Sequence, residues 1–200
     1  MRTVVRSKKA LIGGLLAAGL VSLGCSVSSD LVTYELPPES QRYTLEVEND
    51  GVLTSWEYMS ERPATDQEPE HHPCLETELP LSPVEQPCRP EPLIFLRYEL
   101  GVDVANTLPA GRSARVTITG YYTELESEPD VTELSLAATF DGGQSWQPVP
   151  TRPAGDGTFT ATIPHPRLDR TDGSVGLRVN ATDSDGNTVA QTVPTAYHLR

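Results

Sequence analysis

The sequence predicts an all-β protein, an immunoglobulin or fibronectin III-like sandwich with an additional N-terminal β unit. Three observations lead there. Apolar residues recur at every second position in the C-terminal half, the period of half-buried strands. Turn signals built on Asp-Gly and Pro interrupt those runs every ten residues or so. Residues 139–146, Thr-Phe-Asp-Gly-Gly-Gln-Ser-Trp, spell a tight hairpin: a carboxylate to accept turn N–H groups, glycines for positive φ, and a Trp expected to seal the hairpin onto the core.

Taken from the N-terminus, the chain falls into four stretches. Residues 1–24 read as an export signal. Arg2, Arg6, Lys8 and Lys9 make a basic start, and residues 10–23 are an apolar run of 14, shorter than the roughly 20 needed to span a bilayer. Gly24-Cys25 closes the run as a bacterial lipobox does, which makes Cys25 the candidate lipidation site. Ser22 and Leu23 depart from the usual residues there, and cleavage after Ser29 is the competing reading. The expected location is extracytoplasmic, on the membrane through a lipid anchor, or secreted if the second cleavage operates.

Residues 25–59 contain a hairpin. Tyr43, Leu45 and Val47 alternate with Thr44, Glu46 and Glu48, and Asn49-Asp50-Gly51 turns the chain into 52–58. These strands, with a further one in which Ile94, Leu96, Tyr98 and Leu100 alternate with Phe95, Arg97 and Glu99, either form a small first β domain or extend the later sandwich; two packed units joined near Leu108 are the favoured arrangement. Trp56, Tyr58, Tyr121 and Tyr122 are either core or a carbohydrate platform.

Residues 60–92 hold eight prolines and eight acidic residues against two arginines, a composition that builds no core of its own. Cys74 and Cys88 lie in this loop and, in an oxidising compartment, should form a disulfide closing 15 residues, worth about 3 kcal/mol in the chain-entropy model. Glu68, Glu70, His71, His72 and Cys74 are a possible metal cluster. Adjacent histidines point to opposite sides and Pro69 and Pro73 restrict the backbone, so a solvated acidic loop is the expected state.

Residues 93–200 are the sandwich module. Leu134, Leu136, Ala138 and Phe140 share one face, as do Phe159, Ala161 and Ile163, and Val175, Leu177, Val179 and Ala181. Asp185-Gly186 is expected to supply a two-residue type I′ turn into 188–193. Asp183, Asp185 and Asn187 also echo half a calcium loop, but the closing Glu is missing and strands flank the segment, which favours the turn.

Thr139, Asp141, Gly143, Ser145 and Trp146 together resemble an Asp-box, a structural motif that sialidase-like propellers repeat blade by blade and that occurs once here. With residues 174–199, SVGLRVNATDSDGNTVAQTVPTAYHL, and the 108–112 entry Leu-Pro-Ala-Gly-Arg, they resemble the β-sandwich appended to secreted actinobacterial subtilisin-like proteases. That resemblance implies the fold and an extracytoplasmic setting. It implies no proteolysis, because the catalytic Asp, His and Ser contexts of a subtilase are missing from this sequence.

Charge narrows the partner. All 28 acidic residues follow Cys25 while four of the 15 basic ones precede it, so the chain from Cys25 onward carries 11 basic residues and a net −17. Such a surface repels phosphate backbones and anionic headgroups. Nucleic acid is therefore not an expected partner, and membrane association is expected only through the anchor. No catalytic residue is expected: the four histidines sit in no nucleophile or acid–base motif, and Glu124, Glu126 and Glu128 read as a solvated strand end. No cofactor or metal is expected, and the partner should be a protein or a cell-envelope polymer. A companion role beside a secreted subtilisin-like protease is the alternative.

Overall fold

The structure, a computed structural model, describes residues 2–7, 26–27, 32–33, 36–65, 87, 89–123, 125 and 127–200. It is all-β. The strands are β1 (Arg2–Ser7), β2 (Ser26–Val27), β3 (Val32–Thr33), β4 (Gln41–Asn49), β5 (Val52–Ser60), β6 (Phe95–Glu99) and β7 (Thr107–Leu108). They continue with β8 (Ser113–Tyr121), β9 (Val131–Thr139), β10 (Gln147–Val149), β11 (Thr151–Gly155), β12 (Thr158–Pro164), β13 (Ser174–Asp183) and β14 (Thr188–Leu199). A 3-10 turn, Leu168–Arg170, joins β12 to β13.

Two sheets face each other. One runs β1-β4-β5-β14-β13-β9-β10, with β7 paired in parallel to the end of β14; the other runs β11-β12-β8-β6. A separate two-stranded piece, β2-β3, completes the set. The alternation read in the sequence is the alternation between core and solvent. Leu134, Leu136, Ala138 and Phe140 are buried with Val175, Leu177, Val179 and Ala181 from the first sheet, and Val116, Ile118, Phe159, Ala161 and Ile163 oppose them from the second.

The N-terminal hairpin does not make a second unit. β5 pairs with β14, with Trp56 opposite Val189, and β6 pairs with β8 in the facing sheet. The Trp56 indole N–H donates to the Ile94 carbonyl at 2.7 Å, and the Tyr98 hydroxyl donates to Gln191 Oε1 at 2.8 Å. The Tyr98–Gln191 bond and both strand pairings cross the boundary near Leu108, between segments expected to be separate. The favoured division near Leu108 therefore gives way to one sandwich, in which the hairpin widens the first sheet by laying β5 along residues 188–192 of β14. Trp56, Tyr58 and Tyr122 are core; Tyr121 alone is exposed, under the Arg97 guanidinium.

Two-residue turns with positive φ occur at Asp50-Gly51 and Asp156-Gly157. Asp185-Gly186 is different. Gly186 alone takes positive φ, its N–H bonds the Asp183 carbonyl, and the Asp183 N–H bonds Asn187 O, so residues 184–186 form a three-residue loop. The expected type I′ turn is replaced because Asp183, not Asp185, organises the hairpin.

Residues 2–7, expected to be the basic start of an export signal, form the outer strand β1, antiparallel to β4 from Arg2 opposite Glu48 to Ser7 opposite Tyr43. Cys25, Cys74 and Cys88 lie outside the described residues, as do Glu68, Glu70, His71, His72, Glu124 and Glu126.

Candidate functional site: the open edge and the loop-bearing end

The chain changes sheets between β10 and β11, at Pro150, and this leaves the first half of β9, paired with β13 on one side, without a strand along its other edge. The hydroxyl of Thr151 caps the Leu134 carbonyl at 2.7 Å, but beyond it a groove opens. Its volume is about 380 Å3, with Pro153 and Phe159 on one wall and Thr132, Glu133, Ser135 and Asn180 on the other. A second hollow of about 280 Å3, sharing Thr132, Pro153 and Phe159 with the first, runs past Asp130, Asp156 and Thr158. The lining joins apolar surface from Leu134, Pro153 and Phe159 to hydroxyls, one amide and carboxylates, and holds no histidine, cysteine or lysine. Such a strip can hydrogen-bond a hydroxyl-rich polymer or an extended peptide and attract cationic groups. The sequence shows strands here but not this groove; the cluster Pro148, Pro150 and Pro153, which cannot donate to a ladder, is the signal that marks the switch.

The groove ends at a buried polar hub. Asp183, 3% exposed, accepts the N–H groups of Asp185 at 2.9 Å and Asn187 at 2.8 Å on Oδ1, and Asn187 Nδ2 at 2.7 Å and the Tyr122 hydroxyl on Oδ2. Burial, then the adjacent Asp183 carboxylate, keeps the Tyr122 phenol protonated far above its ordinary range. With four protein donors the carboxylate has no lone pair to offer a cation, so the echo of a calcium loop is a turn. Among the described residues no group of three or more His, Cys, Asp or Glu side chains could hold a metal ion.

Asn187 Oδ1 in turn accepts the Met59 N–H at the end of β5, where the Pro-rich acidic loop leaves the sandwich. The loop's stem is pinned there: Arg89 Nη2 donates to Ser60 Oγ and to the Glu61 carbonyl, and Ser60 Oγ donates to Glu91 Oε1 at 3.0 Å. The hub therefore fixes the exit of the segment that carries Cys74 and Cys88.

The Asp-box lies at the opposite end. Thr139 Oγ1 donates to Asp141 Oδ1 at 2.7 Å and accepts the Gly143 N–H at 3.0 Å; Asp141 also takes the N–H and hydroxyl of Ser145. The Ser145 hydroxyl and N–H, with Thr139, hold the Asp141 carboxyl down at about 2. Trp146 is not sealed onto the core. It is half-buried on the outer face, with its ring 4.2 Å beneath the Arg178 guanidinium, because Phe140 and Val149 already fill the hairpin's inward positions.

This geometry makes a prediction. Asp141→Ala should lower the melting temperature by about a few degrees at pH 7, and the difference from wild type should vanish with acidification. Folding lowers the Asp141 pKa from 3.8 to about 2, so its contribution is complete above pH 4 and is lost as the pH falls through 2. Trp146→Ala should cost only about 1–2 kcal/mol, the value of an exposed cation–π contact and part of a ring. Thermal melts at pH 2, 4 and 7 decide both.

His165 is a buried residue the sequence left unexplained. Its Nδ1–H donates to the Pro109 carbonyl at 3.1 Å, which leaves Nε2 to accept the Tyr197 hydroxyl at 3.0 Å. Burial lowers its pKa, against the pull of the Pro109 carbonyl, so the ring is a neutral bridge between the 108–112 entry and β14. Comparison with protein-family models and with curated proteins returns no match to this chain.

Proposed function

We propose that this chain is an exported, lipid-anchored, non-catalytic β-sandwich that binds a protein or a cell-envelope polymer outside the cytoplasm. The observation that carries the reading is Gly24-Cys25 at the end of a basic start and a 14-residue apolar run. An acidic, lysine-free chain beyond it, and a groove of hydroxyl, amide and carboxylate groups, support a ligand rich in hydroxyl, amide or cationic groups. No helix among the described residues is long and apolar enough to cross a membrane, so the anchor would supply the hydrophobic attachment.

A Cys74–Cys88 disulfide belongs to the same reading. Its loop is already drawn together at the stem by Arg89, Ser60 and Glu91, and a cross-link above that stem would fix the loop at low entropic cost. The second reading, a companion of a secreted subtilisin-like protease, rests on the likeness of residues 139–146 and 174–199 to the modules appended to those enzymes.

The test is fractionation. Wild-type protein should partition with the membrane and enter the detergent phase, and Cys25→Ser should move it to the aqueous phase, since each buried acyl CH2 contributes ~0.8 kcal/mol. Wild-type protein found wholly in the aqueous phase with Asp30 at its N-terminus would overturn the anchor.

A further inference from the structure

Strand β4 is an edge that accepts another strand: the backbone of β1 lies along it in unbroken antiparallel register over six residues. On the export reading, on which this inference rests, residues 2–7 are removed with the signal and the edge is left open. Open edges are normally blunted by charge, bulges or proline. β4 has no proline, its register with β5 is unbroken over nine pairs, and its charges follow an unusual order.

On the face opposite Tyr43, Leu45 and Val47, Arg42, whose Nη1 donates to the Gly186 carbonyl at 3.4 Å, stands near the start of β4 and Glu46 and Glu48 near its end, with the buried Thr44 between them. An antiparallel copy of the same strand, centred on Leu45, places Arg42 opposite Glu48 of the copy twice over and Thr44 opposite Glu46. Tyr43, Leu45 and Val47, on the core-facing side, then continue the apolar layer across the junction, since opposite residues of an antiparallel pair share a face. We infer that removal of the leader strand lets two copies of the mature chain join edge to edge through β4, forming one continuous sheet about a two-fold axis.

The experiment uses residues 30–200, which retain every buried apolar side chain of the described core, the first being Leu36. Light scattering and sedimentation should give a dimer for this chain and a monomer for the full chain with its leader intact. Arg42→Glu alone and Glu48→Arg alone should each weaken the dimer roughly tenfold, because each puts like charges opposite one another twice. Mixing the two single variants should restore the dimer, and Arg42→Glu/Glu48→Arg should restore it within one chain. Melting temperatures of the monomeric variants within a degree or two of each other exclude misfolding as the cause. A wild-type chain that stays monomeric, single variants that dimerise as the wild type does, or a mixture that stays monomeric would each overturn the pairing. N-terminal sequencing of protein from envelope fractions tests the export reading separately: retention of residues 2–7 defeats export, whereas the charge-swap mixing stands or falls on β4 alone.

Discussion

Trp56→Ala should destabilise the whole chain, not its N-terminal hairpin, by about 3–5 kcal/mol. The indole is only 9% exposed, tilts against Phe95 with ring centroids 6.1 Å apart, and donates its N–H to Ile94 O, so it fastens β5 of one sheet to the approach of β6 in the other. Truncation empties a large aromatic site and strands a buried carbonyl. Because β5 is hydrogen-bonded along β14, the central partner of β13, the loss should pass to the entire first sheet. Chemical denaturation followed by fluorescence and by far-ultraviolet dichroism should show one coincident transition, shifted to lower denaturant. Trp56→Phe, which keeps most of the ring and loses the N–H, should cost about 1 kcal/mol beyond its lost area. Two separate transitions, with the later one unmoved by Trp56→Ala, would mean that the hairpin is an independent unit after all.

The faces of the strands were legible from sequence, and their partners were not. Period-two alternation tells which side of a strand is buried, and every apolar face named in β9, β12 and β13 is buried as expected. It carries no information on which strand lies alongside. The neighbour of β5 is β14, more than a hundred residues away, and only a β14 that extends to Leu199 makes room for both β5 and β7. The turn at Asp50-Gly51 forms as expected, and the one at 185–186 departs for a related reason. At 185–186 Asp-Gly predicts a two-residue turn, whereas a buried Asp183 two positions earlier captures the N–H groups and lengthens the loop. Trp146 was assigned inward because a large aromatic gains most by burial, yet Phe140 and Val149 hold the inward positions of that hairpin and leave the indole to Arg178. The groove beside β9 was invisible because it is made by an absence of pairing, and the loop end of the site was foreshadowed only by its composition.

Asp183→Ala should be among the most damaging substitutions at the loop-bearing end, costing about 3 kcal/mol or more. The carboxylate is the shared acceptor for two backbone N–H groups, the Asn187 side-chain amide and the Tyr122 hydroxyl, and alanine leaves all four donors inside the protein without it. Asparagine is an instructive intermediate. Its carbonyl can keep the two backbone N–H groups, and its amide can still donate to the Tyr122 oxygen, but that amide faces the Asn187 Nδ2 donor, so one contact becomes repulsive. Tyr122→Phe should cost only about 1 kcal/mol, because it removes a donor and leaves the carboxylate its other three partners. Thermal melts should rank the variants wild type, Tyr122→Phe, Asp183→Asn, Asp183→Ala. Hydrogen exchange should show faster opening at the amides of Asp185, Asn187 and Met59, since Asn187 relays the hub to the end of β5 where the Cys74 and Cys88 loop departs. An Asp183→Ala protein that melts with the wild type, and whose Met59 amide keeps its protection, would show that the hub does not hold this end of the sandwich.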